Sequence, residues 1–262
     1  MSALFEIKNL TFAVANKRIL NDISLTIGQG EYLTIIGPNG AGKTTLLKCL
    51  MRIYSGNANA VYFKEKSLRQ YTQKQLARQV SYVSQNTDGF NPFTVEEFLL
   101  MARYPHLSPF SSVTPDDKKM VEQALQLTGT EHLARRRIVS LSGGERQTVL
   151  IAAAFAQGAT TMLLDEPTTF LDPKHESDIY RILAHLNRDL GITIIAVTHD
   201  INNAVLNSHR TVILKQGTVL FAGKSGDIMQ NSLLEQAFDR TFTFFNHPIT
   251  GQRFIVPEVH PA

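Results

Sequence analysis

The sequence predicts an α/β protein built on a mainly parallel sheet, and three observations carry that expectation. Short, almost wholly apolar runs recur at residues 32–36, 161–164 and 192–197, each suited to a strand buried on both faces. Stretches of helical periodicity separate them, beginning with Leu46, Leu47, Leu50 and Met51. Strands that alternate with helices pair in parallel through right-handed crossovers.

Taken in order, residues 4–7, 10–14 and 23–27 read as short strands, punctuated by Asn16-Lys17 and Gly28-Gln29-Gly30. Residues 32–36 form a buried strand and the helix of Leu46 to Met51 follows it. Residues 80–84 are a shorter and weaker strand. From about residue 90 to 158 the texture turns helical, over 95–103, 115–128 and 145–157, with a proline- and serine-rich loop at 104–115. This segment reads as a helical insertion into the α/β core. A hairpin of 211–214 and 218–222 turns at Gln216-Gly217.

Composition narrows the class without naming a chemistry. A chain of 262 residues can bury roughly three quarters of its unfolded surface and needs no disulfide staples. Its 43% apolar and 19% charged residues exclude a disordered chain, and a net charge of +3 gives no electrostatic case for a nucleic-acid partner. The longest apolar run, 149–156, is far short of the ~20 residues of a membrane-spanning helix, and Met1-Ser2-Ala3-Leu4-Phe5-Glu6 is no signal peptide. The single cysteine, Cys49, fits a reducing compartment. A soluble, cytoplasmic, globular protein is expected.

Gly37-Pro38-Asn39-Gly40-Ala41-Gly42-Lys43-Thr44 matches the phosphate-loop pattern in full, after a buried strand and before a helix. Glycines let backbone N–H groups turn in around an anion, and the helix N-terminus adds partial positive charge. Lys43 is placed to meet the β- and γ-phosphates, and the Thr44 hydroxyl to ligate Mg²⁺.

Ligands of open α/β sheets gather at the carboxyl ends of strands. There the sequence puts Asp165-Glu166 after residues 161–164, Gln85 after 80–84, and His199 after 192–198. Asp165 fits a Mg²⁺ ligand, and Glu166 a general base that deprotonates the attacking water. Gln85 is a candidate ligand of metal or water, and His199 a candidate partner of the γ-phosphate.

Leu141-Ser142-Gly143-Gly144-Glu145 precedes a helix, and Ser142 with Glu145 makes a capping box. Two adjacent glycines exceed what a cap needs. At these residues the sequence resembles the ATP-binding cassette family, and the resemblance spans nearly the whole chain in the family's motif order. Walker A is Gly37 to Thr45, the Q-loop Gln85, the signature Leu141 to Glu145, and Walker B Met162 to Asp165 followed by Glu166. The D-loop is Phe170-Leu171-Asp172 and the switch histidine His199.

The resemblance implies a P-loop NTPase core of RecA-like fold, an N-terminal antiparallel β subdomain and an inserted helical subdomain. The core would take residues 1–89 and 159–240, the helical part 90–158 and a C-terminal extension 241–262. It implies two ATP molecules, with Mg²⁺, sandwiched in a head-to-tail homodimer. Each would touch Gly37, Pro38, Asn39, Gly40, Ala41, Gly42, Lys43, Thr44 and Thr45 of one copy, and Ser142, Gly143, Gly144 and Asp172 of the other. Glu166, His199, Gln85 and Lys43 would serve hydrolysis, and Thr44, Gln85 and Asp165 the metal. Two membrane permease subunits, and through them a substrate-binding protein, are the implied partners, at the cytoplasmic face of the cell membrane.

Ala102-Arg103-Tyr104-Pro105-His106 is similar to a segment of importers for iron chelates, haem and cobalamin, and His247-Pro248-Ile249-Thr250-Gly251 to the tail of some of them. Departures are Val14 where the family stacks an aromatic ring on adenine, with Phe12 two residues earlier, Thr148 and Ala153 where many relatives carry arginine, and a bulky Phe170. Machines for DNA repair or translation usually carry two cassettes, a coiled-coil insertion or a zinc module, none of which is seen here. Iron–sulfur assembly and export remain alternatives. Asn16-Lys17-Arg18-Ile19 lacks the aspartate of a guanine-reading motif.

Overall fold

The computed structural model describes residues 3–85, 92–108 and 112–256. Strands β1 (Ala3–Val14) and β2 (Lys17–Gly28) open the chain as an antiparallel pair. The expected strands 4–7 and 10–14 are one strand, because the ladder slips rather than ends: its register shifts between Ile7 and Leu10, where Asn9 sits at φ 49°. The turn uses Ala15 and Asn16, one residue before the expected pair, both at positive φ. Buried β3 (Tyr32–Ile36) leads through the glycine loop into α1 (Lys43–Leu50). β4 (Val61–Phe63) and β5 (Lys66–Ser67) complete a sheet ordered β2-β1-β4-β5.

Next come α2 (Gln73–Ala77), β6 (Val80–Val83), α3 (Val95–Met101), α4 (Pro115–Thr128), α5 (Gly143–Ala156), β7 (Thr161–Asp165), α6 (Pro173–Arg188) and β8 (Thr193–Val197). The last elements are α7 (Ile201–Asn207), β9 (Arg210–Lys215), β10 (Thr218–Lys224), α8 (Asn231–Phe238) and the hairpin β11 (Thr243–Asn246) with β12 (Arg253–Val256). Among the described residues, no helix is long and apolar enough to cross a membrane.

Residues 1–67 with 197–262 form one compact unit, and residues 68–196 a second. In the first, β3 pairs in parallel with β9, and β10 runs antiparallel to β9. Gln216 and Gly217, both at positive φ, make the tight turn expected there. Ile36, Ala204, Ile213, Ile228, Leu234 and Phe242 share one buried cluster. The terminal hairpin is tied to α7 by Asn202, which donates from Nδ2 to the Ile255 carbonyl (3.0 Å) and accepts from its amide (2.8 Å). His247 to Gly251 is the turn of that hairpin, with the His247 ring accepting from the amides of Ile249 and Thr250 (both 3.3 Å). Residues 257–262 of the expected extension lie outside the described residues.

In the second unit the strands run β8-β7-β6, with β6 and β7 parallel. Val95, Leu99, Val121, Leu125, Val149 and Ala152 join α3, α4 and α5 in one core. The expected boundary at 89/90 lies outside the described residues. Within the expected loop, Tyr104–His106 forms a 3₁₀ turn, residues 109–111 lie outside the described residues, and Pro115 opens α4 behind its cap Thr114. The turn closes the C-terminal end of α5. Arg103 Nη1 donates to the Ala156 carbonyl and His106 Nε2 pairs with that of Gln157 (both 2.8 Å), which satisfies carbonyls that the helix itself leaves open. Arg103 Nε also pairs with buried Asp117 at 2.9 Å. The Thr114 hydroxyl and amide, with Arg103, hold the Asp117 carboxyl down at about 2.

Candidate nucleotide-binding site

The phosphate loop belongs to the first unit. At Gly37 the backbone lies so close to β9 that a Cβ would fall 2.1 Å from the Leu214 carbonyl oxygen, at φ 148°. No other residue fits the start of this loop. Gly42 ends it as the N-cap of α1 without any side-chain cap, so the helix begins with main-chain N–H groups directed into the loop. Lys43 is buried and its Nζ donates to the carbonyls of Gly37 (2.8 Å) and Pro38 (3.1 Å), which fixes the ammonium across the loop. Pro38, Asn39, Gly40 and Ala41 complete the loop, while Thr44 and Thr45 occupy the first turn of α1.

The same unit delivers His199. The Thr198 amide donates to Ile35 O (3.2 Å) beside the end of β3, and His199 follows as an exposed residue. Asp200 fixes the turn: its amide donates to Thr198 Oγ1 (3.0 Å) and its carboxylate caps α7 at the Asn203 amide (2.8 Å). At the position expected to meet adenine, Val14 is 54% exposed and offers no ring. Phe12 stacks on Tyr54 with centroids 5.0 Å apart and planes 8° from parallel. Phe12 is therefore part of an aromatic pair rather than core.

The second unit holds the carboxylates. β7 is buried throughout and ends at Asp165, 2% exposed, whose Oδ2 accepts from the Tyr82 hydroxyl (3.2 Å). Glu166 follows at φ 51°, a left-handed conformation rare for glutamate. Its Oε2 accepts from Gln85 Nε2 (2.8 Å) and from Thr169 Oγ1 (3.0 Å). Two residues expected to work together, Gln85 and Glu166, are thus in direct contact. Sequence reasoning misses Tyr82 and Thr169; the only signal for Thr169 is its place three residues after Glu166.

The signature turn is also here. Ser142 caps α5 through the expected box: its Oγ accepts from the Glu145 amide (3.2 Å) and its amide donates to Glu145 Oε2 (2.8 Å). The Ser142 amide, with Arg136 at 2.9 Å, holds Glu145 below the usual carboxylate range. The helix begins at Gly143, two residues earlier than the 145–157 expected, because the cap residue is Ser142. Thr148, one of the two positions where arginine is the expected family residue, is buried and donates to the Gly144 carbonyl (3.0 Å). Phe170 stands 98% exposed at φ 66°. Asp172 caps α6, with Oδ1 accepting from the amides of Lys174 and His175 (both 3.0 Å).

A phosphate loop between a buried strand and a helix, a buried aspartate at a parallel strand's end with glutamate next to it, and a capped double-glycine turn define a nucleotide-hydrolysing P-loop protein. The model of the family described as ABC transporter matches residues 20–169, and the chain belongs to that family. It is an ATP-binding protein whose hydrolysis is coupled to transport. Similar proteins include the iron(3+)-hydroxamate import ATP-binding protein of Bacillus subtilis (strain 168), 37% identical over 94% of this chain and 91% of its own. Among solved structures, an inward-facing metal-chelate type ABC transporter covers 98% of both chains at a TM-score of 0.85 and 26% identity. A dimeric ATP-binding cassette in a post-hydrolysis state, bound to ADP and phosphate, covers 84% of this chain and 98% of its own at TM-score 0.73 and 28% identity.

Proposed function

We propose that two copies of this chain form a head-to-tail ATP sandwich that powers two permease subunits importing an iron-siderophore, haem or cobalamin-type chelate. The observation that carries the hydrolytic part is the Glu166 carboxylate, held by Gln85 and Thr169 directly after buried Asp165. Glu166 accepts the proton of the attacking water, whose oxygen bonds to the γ-phosphorus as the bond to the β–γ bridging oxygen breaks, giving inorganic phosphate with ADP as the leaving group. Lys43 and the loop amides from Gly37 to Thr45 bind the phosphates, and His199 hydrogen-bonds the γ-phosphate. Ser142, Gly143, Gly144 and Asp172 face the ATP held by the partner subunit. ATP thereby bridges the copies and its hydrolysis separates them.

The donor set of Thr44 hydroxyl, Gln85 amide and Asp165 carboxylate is all oxygen, the chemistry that suits Mg²⁺. Mg²⁺ held by these residues would neutralise phosphate charge. One cassette, comprising a core of 1–89 and 159–240, a helical subdomain of 90–158 and the extension 241–262, would then work at the cytoplasmic face of the cell membrane. The hydroxamate-import relative and the metal-chelate transporter support the choice of cargo. The test is to purify the chain with its membrane subunits and measure ATP hydrolysis with each chelate on its binding protein. Stimulation by an iron-siderophore, haem or corrinoid is expected, and failure of all three removes the cargo assignment.

A further inference from the structure

His175 lies outside every motif that pointed to ATP, yet it touches two of them. Its ring sits on Gly144 so closely that a Cβ there would lie 2.3 Å from His175 Cδ2 and 2.4 Å from Cγ. Its Nδ1 is 2.7 Å from Oδ2 of Asp172, and its amide donates to Oδ1 of the same carboxylate at 3.0 Å. Those two hydrogen bonds from His175 hold Asp172 below the usual range. One imidazole therefore spans from the cap of α6 to the second glycine of the α5 cap.

The contact also explains why this glycine has to be a glycine. Gly144 has φ outside the left-handed region, and it sits in the first turn of a helix, where alanine costs nothing in backbone terms. A Cβ on Gly143 beside it would meet nothing within 4 Å. What excludes a side chain at 144 is the ring of His175. The Gly144 carbonyl is pinned in turn by Thr148.

We propose that His175 is a positioning residue that locks the D-loop and the signature turn into one body, so that Asp172 and Ser142 to Gly144 meet the partner's nucleotide in a fixed relation. This rests on the ATP-sandwich reading. The charged groups lining the same cleft are Glu145, Lys174, Asp178 and Arg181, with His132 and His185. None of them replaces the ring on Gly144.

The experiment compares the full-length chain with His175→Ala, His175→Asn and Gly144→Ala, measuring steady-state ATP hydrolysis, binding of a fluorescent ATP analogue and amide hydrogen exchange over residues 141–148. His175→Ala should lower kcat about ten-fold and speed exchange at 141–148, while affinity for the analogue stays within two-fold, because the phosphate loop is untouched. His175→Asn, which keeps an N–H for Asp172, should recover at least a third of kcat. Gly144→Ala should impair the wild-type chain more than it impairs His175→Ala, where the ring is gone. Unchanged exchange and a kcat within two-fold in His175→Ala would overturn the proposal. So would equal losses of kcat and analogue affinity, the mark of general unfolding. Exchange does not depend on hydrolysis. A wild-type chain that stays a monomer at every ATP concentration would therefore sink the sandwich reading, and the exchange result would still decide the coupling.

Discussion

The phosphate loop and the carboxylate cluster do related work by opposite means. The loop is almost entirely main chain: glycines at φ 148° and 101°, an uncapped helix start and one lysine folded back onto two carbonyls. The cluster is almost entirely side chain. Tyr82 holds Asp165, Gln85 and Thr169 hold Glu166, and His175 holds Asp172. A backbone site is written in consecutive residues because local dihedrals build it. A side-chain site adds to its local pairs the partners that the sheet brings in from about eighty positions away, as Tyr82 is brought to Asp165 and Gln85 to Glu166.

That contrast predicts different responses to mutation. Lys43→Ala should remove the loop's only ammonium and weaken ATP binding by on the order of a hundred-fold or more, as read by fluorescent-nucleotide titration. A loss under three-fold would mean that the backbone alone binds the phosphates. Away from both sites, Asp117→Asn should cost about 3 kcal/mol in urea unfolding, because it leaves Arg103 buried beside a neutral partner. The same pair sets an acid limit. The folded Asp117 carboxyl titrates near 2 and the unfolded one near 4. Its contribution is whole above about pH 4 and fades as pH falls toward 2. The wild-type Tm should fall across that window more steeply than the variant's.

Thr169→Val keeps the shape but removes one donor from Glu166. It should lower kcat by about ten- to a hundred-fold with nucleotide affinity unchanged, since one hydrogen bond to a charged group is worth about 1.5–3 kcal/mol. An equal effect on binding would show that the two regions are not separable. Phe170→Ala should be smallest in stability, within ~0.5 kcal/mol, because a ring 98% exposed gives the fold nothing. Its effect should show up only as a steeper dependence of ATPase rate on protein concentration.

The main-chain parts of the molecule are legible in the sequence. Residues 32–36 and 115–128 are the observed β3 and α4, and the hairpin turn is at Gln216-Gly217 as expected. The strand bulge at Asn9, the 16-residue α6 and the terminal hairpin are not. In α6 the buried positions Ile179, Ile182, Leu183 and Leu186 are interleaved with charged residues, and its cap Asp172 reads in the sequence only as a nucleotide contact. Arg103 and His106 resemble an importer motif, but no local pattern shows that their partners are the last carbonyls of α5, some fifty residues on. Such contacts depend on tertiary packing, which periodicity does not encode.

The central claim is that Glu166 is the base in a nucleotide held between two copies. The direct measurement is Glu166→Gln, followed by ATP turnover and by molar mass from light scattering with and without ATP. Turnover should fall by on the order of a hundred-fold or more. With ATP, the 29.2 kDa chain should run as a dimer that returns to monomer when ATP is removed. Undiminished turnover, together with a monomer at every ATP concentration, would contradict the account.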